Sequence, residues 1–250
     1  MTRVLSIVVL ITLLLVQSVQ AQDDPAEVEE VTEAKSVLKI WSSQIELGAV
    51  MTTGNTEQEN FKFAVNVVRN AEILKHTGQV TGIRASEDDI VTAEKYYATY
   101  QVDYKLAGDH SLFARGAYET DEFSGFEYQA DATVGYTRLL YGSDAIEWHA
   151  GGGVGSRHSK FDTGVSESEF ITRLATDVRW QVSDSAGFKQ LLSAEIGEKS
   201  TITRSETSLG TTIAGDLAMK VAINVKHQSE VPFGRDKTDT ESSITLVYSL

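Results

Sequence analysis

Phe61, Phe63, Val65 and Val67 share one parity of the chain while Asn60, Lys62, Ala64 and Asn66 share the other, and this period of two governs most of the sequence beyond residue 40. Tyr96, Ala98, Tyr100, Val102, Tyr104 and Leu106 repeat the pattern opposite Lys95, Thr99, Gln101, Asp103 and Lys105. Clear segments of the same kind cover residues 128–136, 146–154, 170–182, 217–225 and 244–250; fainter ones cover 41–51, 76–85, 112–118, 188–196 and 203–213. Alternating strands need two different surroundings, one apolar and one polar. The aromatic residues say which. Trp41, Tyr104, Tyr136, Trp148, Trp180 and Tyr248 fall on the apolar parity at one set of strand ends, and Phe61, Tyr96, Tyr118, Tyr128 and Phe170 at the other. Rings with one wet edge belong at lipid headgroups, so two such girdles predict an all-β fold: a transmembrane antiparallel up-and-down β-barrel of twelve strands over residues 41–250. A soluble β-sandwich that binds a ligand would alternate too, but it has no reason to gather all three tryptophans at one rim.

The connections sort into two kinds. Residues 107–109, 142–144, 183–187 and 214–216 are tight, Gly- and Asp-containing turns, whereas 86–92, 121–126, 157–167 and 230–240 are longer and polar. Short periplasmic turns and longer external loops are the expected asymmetry, and an even strand count returns the C-terminus to the periplasm. Pro25 and Pro232 lie outside every predicted strand, as a ladder that uses each amide hydrogen requires.

At the N-terminus, Arg3, an apolar run over 4–16 and the small residues of Val19-Gln20-Ala21 read as a secretory signal peptide, residues 1–21, too short to span a bilayer as a helix. Residues 22–40 form an acidic periplasmic leader, with Asp23, Asp24, Glu27, Glu29, Glu30 and Glu33 against Lys35 and Lys39; it is expected to be a mobile or loosely helical tail, or a segment that plugs the lumen. The formal charge of −14 disfavours nucleic acid as a partner. The absence of cysteine excludes disulfides, thiolate metal sites and a lipidated N-terminal cysteine.

Function, in a barrel, belongs to the inward parity. Its basic members are Lys62, Lys95, Lys105, Arg115, Arg173, Arg179, Lys220 and Lys226, and its acidic members Glu46, Asp103, Glu119, Glu127, Asp131, Glu147, Glu169 and Asp177. Such a lining either selects small ions and solutes in a narrow pore or pairs with itself to fill the lumen. The run Gly151-Gly152-Gly153-Val154-Gly155 lacks the Gly-Lys-Ser/Thr ending of a phosphate loop and continues the alternation, so it is read as room for a bend or for a neighbouring aromatic ring. His76, His110, His149, His158 and His227 are scattered without metal-ligand spacing. His149, or His158 beside Ser159, is the nearest approach to a lipid hydrolase, yet no nucleophile, base and orienting group can be named together. Glu87-Asp88-Asp89 and the stretch 236–239 could hold divalent cations among lipopolysaccharide phosphates, but they lack the spacing of a calcium loop and are read as solvated loop charge. No catalytic residue, cofactor or metal site is predicted.

These residues also carry a resemblance. Glu46-Leu47-Gly48 followed by Thr53-Gly54-Asn55, then Tyr104-Lys105-Leu106, Leu112-Phe113 and the run from Asp121 through Glu122-Phe123-Ser124-Gly125-Phe126-Glu127 to Tyr128 are similar to the YdiY-like family of salt-induced outer-membrane proteins, domain of unknown function family 481. The glycine-rich strand, Gly234 and Asp239-Thr240 fit as well. The resemblance implies an outer-membrane barrel of the Gram-negative envelope, lipid and lipopolysaccharide as its surroundings, the barrel-assembly machinery as its partner in biogenesis, and a link to salt or osmotic stress. It supplies no catalytic residues. Similar proteins end on an aromatic residue, which helps that machinery recognise the last strand, where this chain has Leu250 after Tyr248-Ser249. The reading is of a non-catalytic narrow channel or envelope-structural barrel, with the lipid hydrolase and the periplasmic sandwich as alternatives.

Overall fold

The computed structural model describes residues 40–250 apart from 54–57, 88–89 and 123; the signal peptide and the acidic leader up to residue 39 lie outside the described residues. Twelve strands succeed one another: β1 Trp41–Thr53, β2 Gln58–Asn70, β3 Leu74–Glu87, β4 Ile90–Lys105, β5 His110–Asp121, β6 Phe126–Gly142, β7 Ile146–Phe161, β8 Ser166–Ser183, β9 Ala186–Gly197, β10 Thr201–Ala214, β11 Leu217–Gln228 and β12 Thr238–Ser249. Each pairs antiparallel with its predecessor, and β12 returns to β1 from Gln44↔Ser249 to Thr53↔Thr240, so the sheet is a closed barrel. Closure leaves no strand edge unpaired, and it overturns the sandwich alternative.

All twelve expected strands are present, but their ends differ. Two of the four polar stretches expected as longer loops at the end opposite the termini are mostly strand: within 86–92, β3 runs to Glu87 and β4 starts at Ile90, and within 157–167, β7 runs to Phe161 and β8 starts at Ser166, whereas 121–126 stays a connection between Asp121 and Phe126. Only residues 229–237 form a longer connection there. The cause is that polar residues near this mouth continue the ladder while facing the lumen, so hydrophilicity marks the interior and not a loop.

The outward parity is apolar. Leu47, Val134, Val154, Leu174, Leu209, Val221 and Ile244 are all exposed there, and all eleven predicted girdle aromatics lie on this face, with Phe170 at 65% exposure. Tyr118 and Tyr128 stack at 5.6 Å, and Tyr96 tilts against Phe63 at 6.4 Å. One outward patch departs from the pattern: Thr207 Oγ1 donates to Gln190 Oε1 at 2.6 Å, and the same amide donates to Ser205 Oγ at 3.0 Å, so these polar groups satisfy one another.

The glycine run sits mid-strand in β7. Gly151, Gly153 and Gly155 face inward against β6, where a Cβ on Gly153 would lie 2.4 Å from the Val134 carbonyl oxygen and 3.0 Å from Phe113 Cζ, and one on Gly155 would lie 2.0 Å from the Ala132 oxygen. Bare glycine therefore allows both the close approach of two backbones and the seat of the Phe113 ring. Outward Gly152 differs, since its Cβ would meet only the flexible end of Leu174 at 3.1 Å and the Arg173 carbonyl at 3.4 Å. Gly153→Val is expected to destabilise the barrel by about 1–3 kcal/mol, the cost of overpacking, and Gly152→Ala by clearly less. Read as the temperature at which the folded band converts to the slower unfolded band on a denaturing gel, the two variants should separate in that order.

Candidate functional site

Fifteen of the sixteen charged residues expected in the lumen lie on the inward parity, and the upper half of the lumen, the half away from the termini, draws seven of them, Lys95, Arg115, Glu119, Asp131, Glu169, Arg173 and Lys226, into one network. Its centre is a carboxylate absent from the expected set. Glu195 on β9 is 1% exposed and meets Arg173 at 2.7 Å, Arg204 at 3.1 Å, Arg115 at 3.8 Å and Arg157 at 4.0 Å. The arginines are shared in turn. Arg115 reaches Asp131 at 2.6 Å and donates to the Tyr97 hydroxyl at 2.8 Å, while Arg157 reaches Glu169 at 2.6 Å. Arg204 lies over the Tyr97 ring, 5.3 Å from its centroid, and donates to Glu119 at 2.7 Å.

Glu119 makes this network a cross-bar. It projects from β5, yet it receives Lys226 of β11 at 2.9 Å as well as Arg204 of β10. In a ring of twelve strands β5 and β11 stand opposite each other, so these bonds cross the whole bore. Lys95 of β4 adds Glu119 at 3.7 Å, Asp121 at 3.9 Å and Glu241 of β12 at 2.8 Å. Charges taken from water in this way persist only when each finds a partner, and here carboxylates and cations alternate through the cluster. What space remains is small: a gap of about 10 Å³ among Tyr97, Glu119, Arg157, Glu195 and Arg204, the volume of about one water.

The lower lumen is looser. Lys220 joins Glu46 at 3.1 Å and Glu206 at 3.5 Å, and Lys189 reaches Glu206 at 3.4 Å. Nearer the termini, Gln101 donates to Asp103 at 2.7 Å, Lys105 to the Ala71 carbonyl at 2.6 Å, and Arg179 pairs with Asp177 at 3.0 Å while staying half exposed. Glu147 is exposed and His149 partly so. Lys62, buried on β2, completes the inward set.

Glu127 is the exception. A β-bulge between Phe126 and Tyr128 turns its side chain outward, where it is exposed and pairs with Lys160 at 2.5 Å, a residue of the outward parity of β7. A parity count across an irregular strand end assigns the wrong face. Charged members absent from the expected set are Asp121, Arg157, Lys189, Glu195, Arg204, Glu206 and Glu241. Extending the alternation through 121 and 157, instead of breaking it there as loop, and starting the last strand before 244, would have found three of them.

The histidines resolve structurally. His76, His110, His158 and His227 all face outward near a rim, and each hydrogen-bonds a hydroxyl on the next strand: Tyr100 at 2.8 Å, Tyr136, Ser168 at 2.8 Å and Thr238 at 2.8 Å, respectively. His158 thus meets Ser168 and not inward-facing Ser159, and among the described residues no carboxylate or amide holds its second ring nitrogen.

A second feature lies above the cross-bar. Residues 229–237 connect β11 to β12, yet Pro232 packs on Gly125 in the β5–β6 connection on the opposite side of the ring. Gly125 has φ 78°, and a Cβ there would sit 2.9 Å from Pro232 Cγ. The segment is a strap across the mouth. Between strap and cross-bar lies a chamber of about 170 Å³.

Other proteins resemble this one in sequence and in architecture. The chain is 25% identical over 229 residues to the uncharacterized protein YdiY of Escherichia coli strain K12, covering 91% of this chain and 87% of that one. Its fold is similar to the NanC porin, with TM-score 0.57 at 10% identity over 82% of this chain and all of that one. The KdgM porin is more distant, with TM-score 0.47 at 11% identity, covering 83% of this chain and 99% of that one. Residues 45–250 match the family described as "Protein of unknown function, DUF481", and the chain therefore belongs to the DUF481 family.

Proposed function

We propose that this protein is a non-catalytic, integral outer-membrane barrel of the Gram-negative envelope, exported through its N-terminal signal peptide, and that it acts as a narrow channel whose resting lumen is occluded by its own ion pairs. The observation that carries the reading is Glu119, reached across the bore by Lys226 at 2.9 Å and Arg204 at 2.7 Å. An apolar outward wall between two aromatic girdles supports the membrane setting, with lipid and lipopolysaccharide around it. The paired, near-neutral cross-bar supports passage of only small ions and solutes, and only when its pairs part. A role in salt or osmotic stress, which the family resemblance implies, accords with a gate made of charges that ions screen.

The lipid-hydrolase alternative has its best geometry in His158 and Ser168 on the outer wall, but it lacks the third group that would orient the base. His149 lies on the inward face, away from lipid.

Fractionated cells should hold the protein in the outer membrane, with a folded band that shifts on boiling and a mass that begins after Ala21; recovery in the soluble periplasmic fraction would overturn the membrane reading. In planar bilayers the refolded protein is expected to give small, infrequent openings. Glu119→Ala leaves Lys226, Arg204 and Lys95 facing one another without their shared anion, so that variant should conduct at least several-fold more at the same salt. Silence from both proteins at every salt concentration would leave the envelope-structural role in place of the channel.

A further inference from the structure

The chamber beneath the strap is a built cavity that the occluded lumen does not need. Its floor is Arg157, Gln129 and Ser159, one wall is the ring pair Phe126 and Phe161 with centroids 4.7 Å apart, and Gln228 faces them from the end of β11. A volume of about 170 Å³ suits a single ring-sized molecule, since an engineered cavity of roughly 150 Å³ accepts benzene.

The chemistry of the lining narrows the class. Its charged groups are already matched. Arg157 is held by Glu169 at 2.6 Å, Glu169 also accepts the Lys199 backbone N–H at 2.8 Å, and Lys199 pairs with Glu167 at 3.1 Å. Arg157 Nη1, buried and without a hydrogen-bond partner among the described residues, adds a donor that a hydroxyl oxygen can use, while a full charge entering here would meet groups already held in ion pairs. The uncharged groups are in surplus. Gln228 is 5% exposed, and among the described residues its side-chain amide makes no hydrogen bond, although a buried amide offers two donors and one acceptor. Gln129 donates to Ser159 at 3.2 Å and keeps its oxygen and second N–H for another partner. Spare amides and a hydroxyl opposite aromatic rings match a molecule that is hydroxylated at its edge and apolar on its faces.

We infer that the chamber between the strap and the cross-bar is a binding site for one ring of a neutral saccharide, held by Gln228 and Gln129 at its hydroxyls and by Phe126 and Phe161 at its C–H face. The site rests on the strap and the lining, not on conduction, so a barrel that never opens leaves it intact. The ring has two sources, a free sugar from the medium or a sugar of the cell's own lipopolysaccharide core.

Saturation-transfer NMR on the full barrel in detergent micelles tests this with methyl glucoside, methyl galactoside, methyl mannoside, methyl glucuronide and a delipidated core oligosaccharide as probes. Transfer is expected to at least one neutral methyl glycoside or to the core oligosaccharide, and the stronger of the two identifies the source. Gln228→Ala and Gln129→Ala should each weaken that binding at least threefold while the boiled and unboiled bands still separate normally. Should a variant fail to fold, Gln228→Glu, which keeps the size and removes the donors, takes its place and is expected to weaken binding likewise. Absence of transfer to every probe, binding unchanged in the variants, or a methyl glucuronide bound tenfold more tightly than methyl glucoside would overturn the inference.

Discussion

Backbone closure is the constraint on which the rest of this structure depends. An open sheet leaves a row of backbone N–H and C=O groups unpaired along each edge, and β1 and β12 remove both edges by meeting over ten registered pairs from Gln44↔Ser249 to Thr53↔Thr240. Once the ring is shut, the two parities of every strand are committed to unlike surroundings. Ile45 and Leu47 cannot turn inward without sending Glu46 into the apolar surroundings outside. Register, girdle placement and the inward charge set are therefore one decision made twelve times, and a single bulge, as at Glu127, is enough to reverse it locally.

Closure creates the second problem, a confined interior lined with charge. Lone carboxylates or guanidinium groups there would each lack both bulk water and a partner, and arginine's planar fork answers this by serving several carboxylates at once. Arg204 spans Glu195 and Glu119, Arg115 spans Asp131 and Glu195, and Arg157 sits between Glu169 and Glu195. The bonds run across the bore as well as along the wall because a twelve-stranded ring is narrow enough for long side chains on opposite strands to meet. Ion pairs of this sort add little net stability compared with an apolar filling of equal volume. What they add is a seal with a polar composition, which water and ions can enter if the pairs separate, as an apolar plug would not allow.

Strand positions and the apolar outer face are legible in the sequence alone. Alternation locates all twelve strands and puts eleven aromatic residues on the outer face, because both signals depend only on local pattern and on the membrane's fixed geometry. The centre of the site is less legible, for two physical reasons. Arg157 and Glu241 lie where strands run on into polar surroundings, and a polar run at a strand end looks the same whether it is loop or lumen wall. Glu195 and Arg204 belong to strands whose outward residues, Gln190, Thr203, Ser205 and Thr207, are themselves polar, so the contrast that assigns a face is weak there. Convergence of four arginines on one glutamate is a property of the closed ring, and no spacing along the chain encodes it.

The strap shows how the mouth is organised by a single backbone permission. Pro232 can rest on the far rim only because Gly125 has no Cβ and holds a positive φ, a combination that any other residue would meet with both a clash and conformational strain. The strap then stands on the side opposite its own attachment, Phe233 at its crest is fully exposed to solvent, and Gln228 at its root is shut away from it. A long, solvated loop would place both residues in water. Fastening the segment across the bore separates them, and that separation turns the space above the ion-pair network from open solvent into a sheltered recess, still open at its side, whose spare hydrogen-bonding groups face inward.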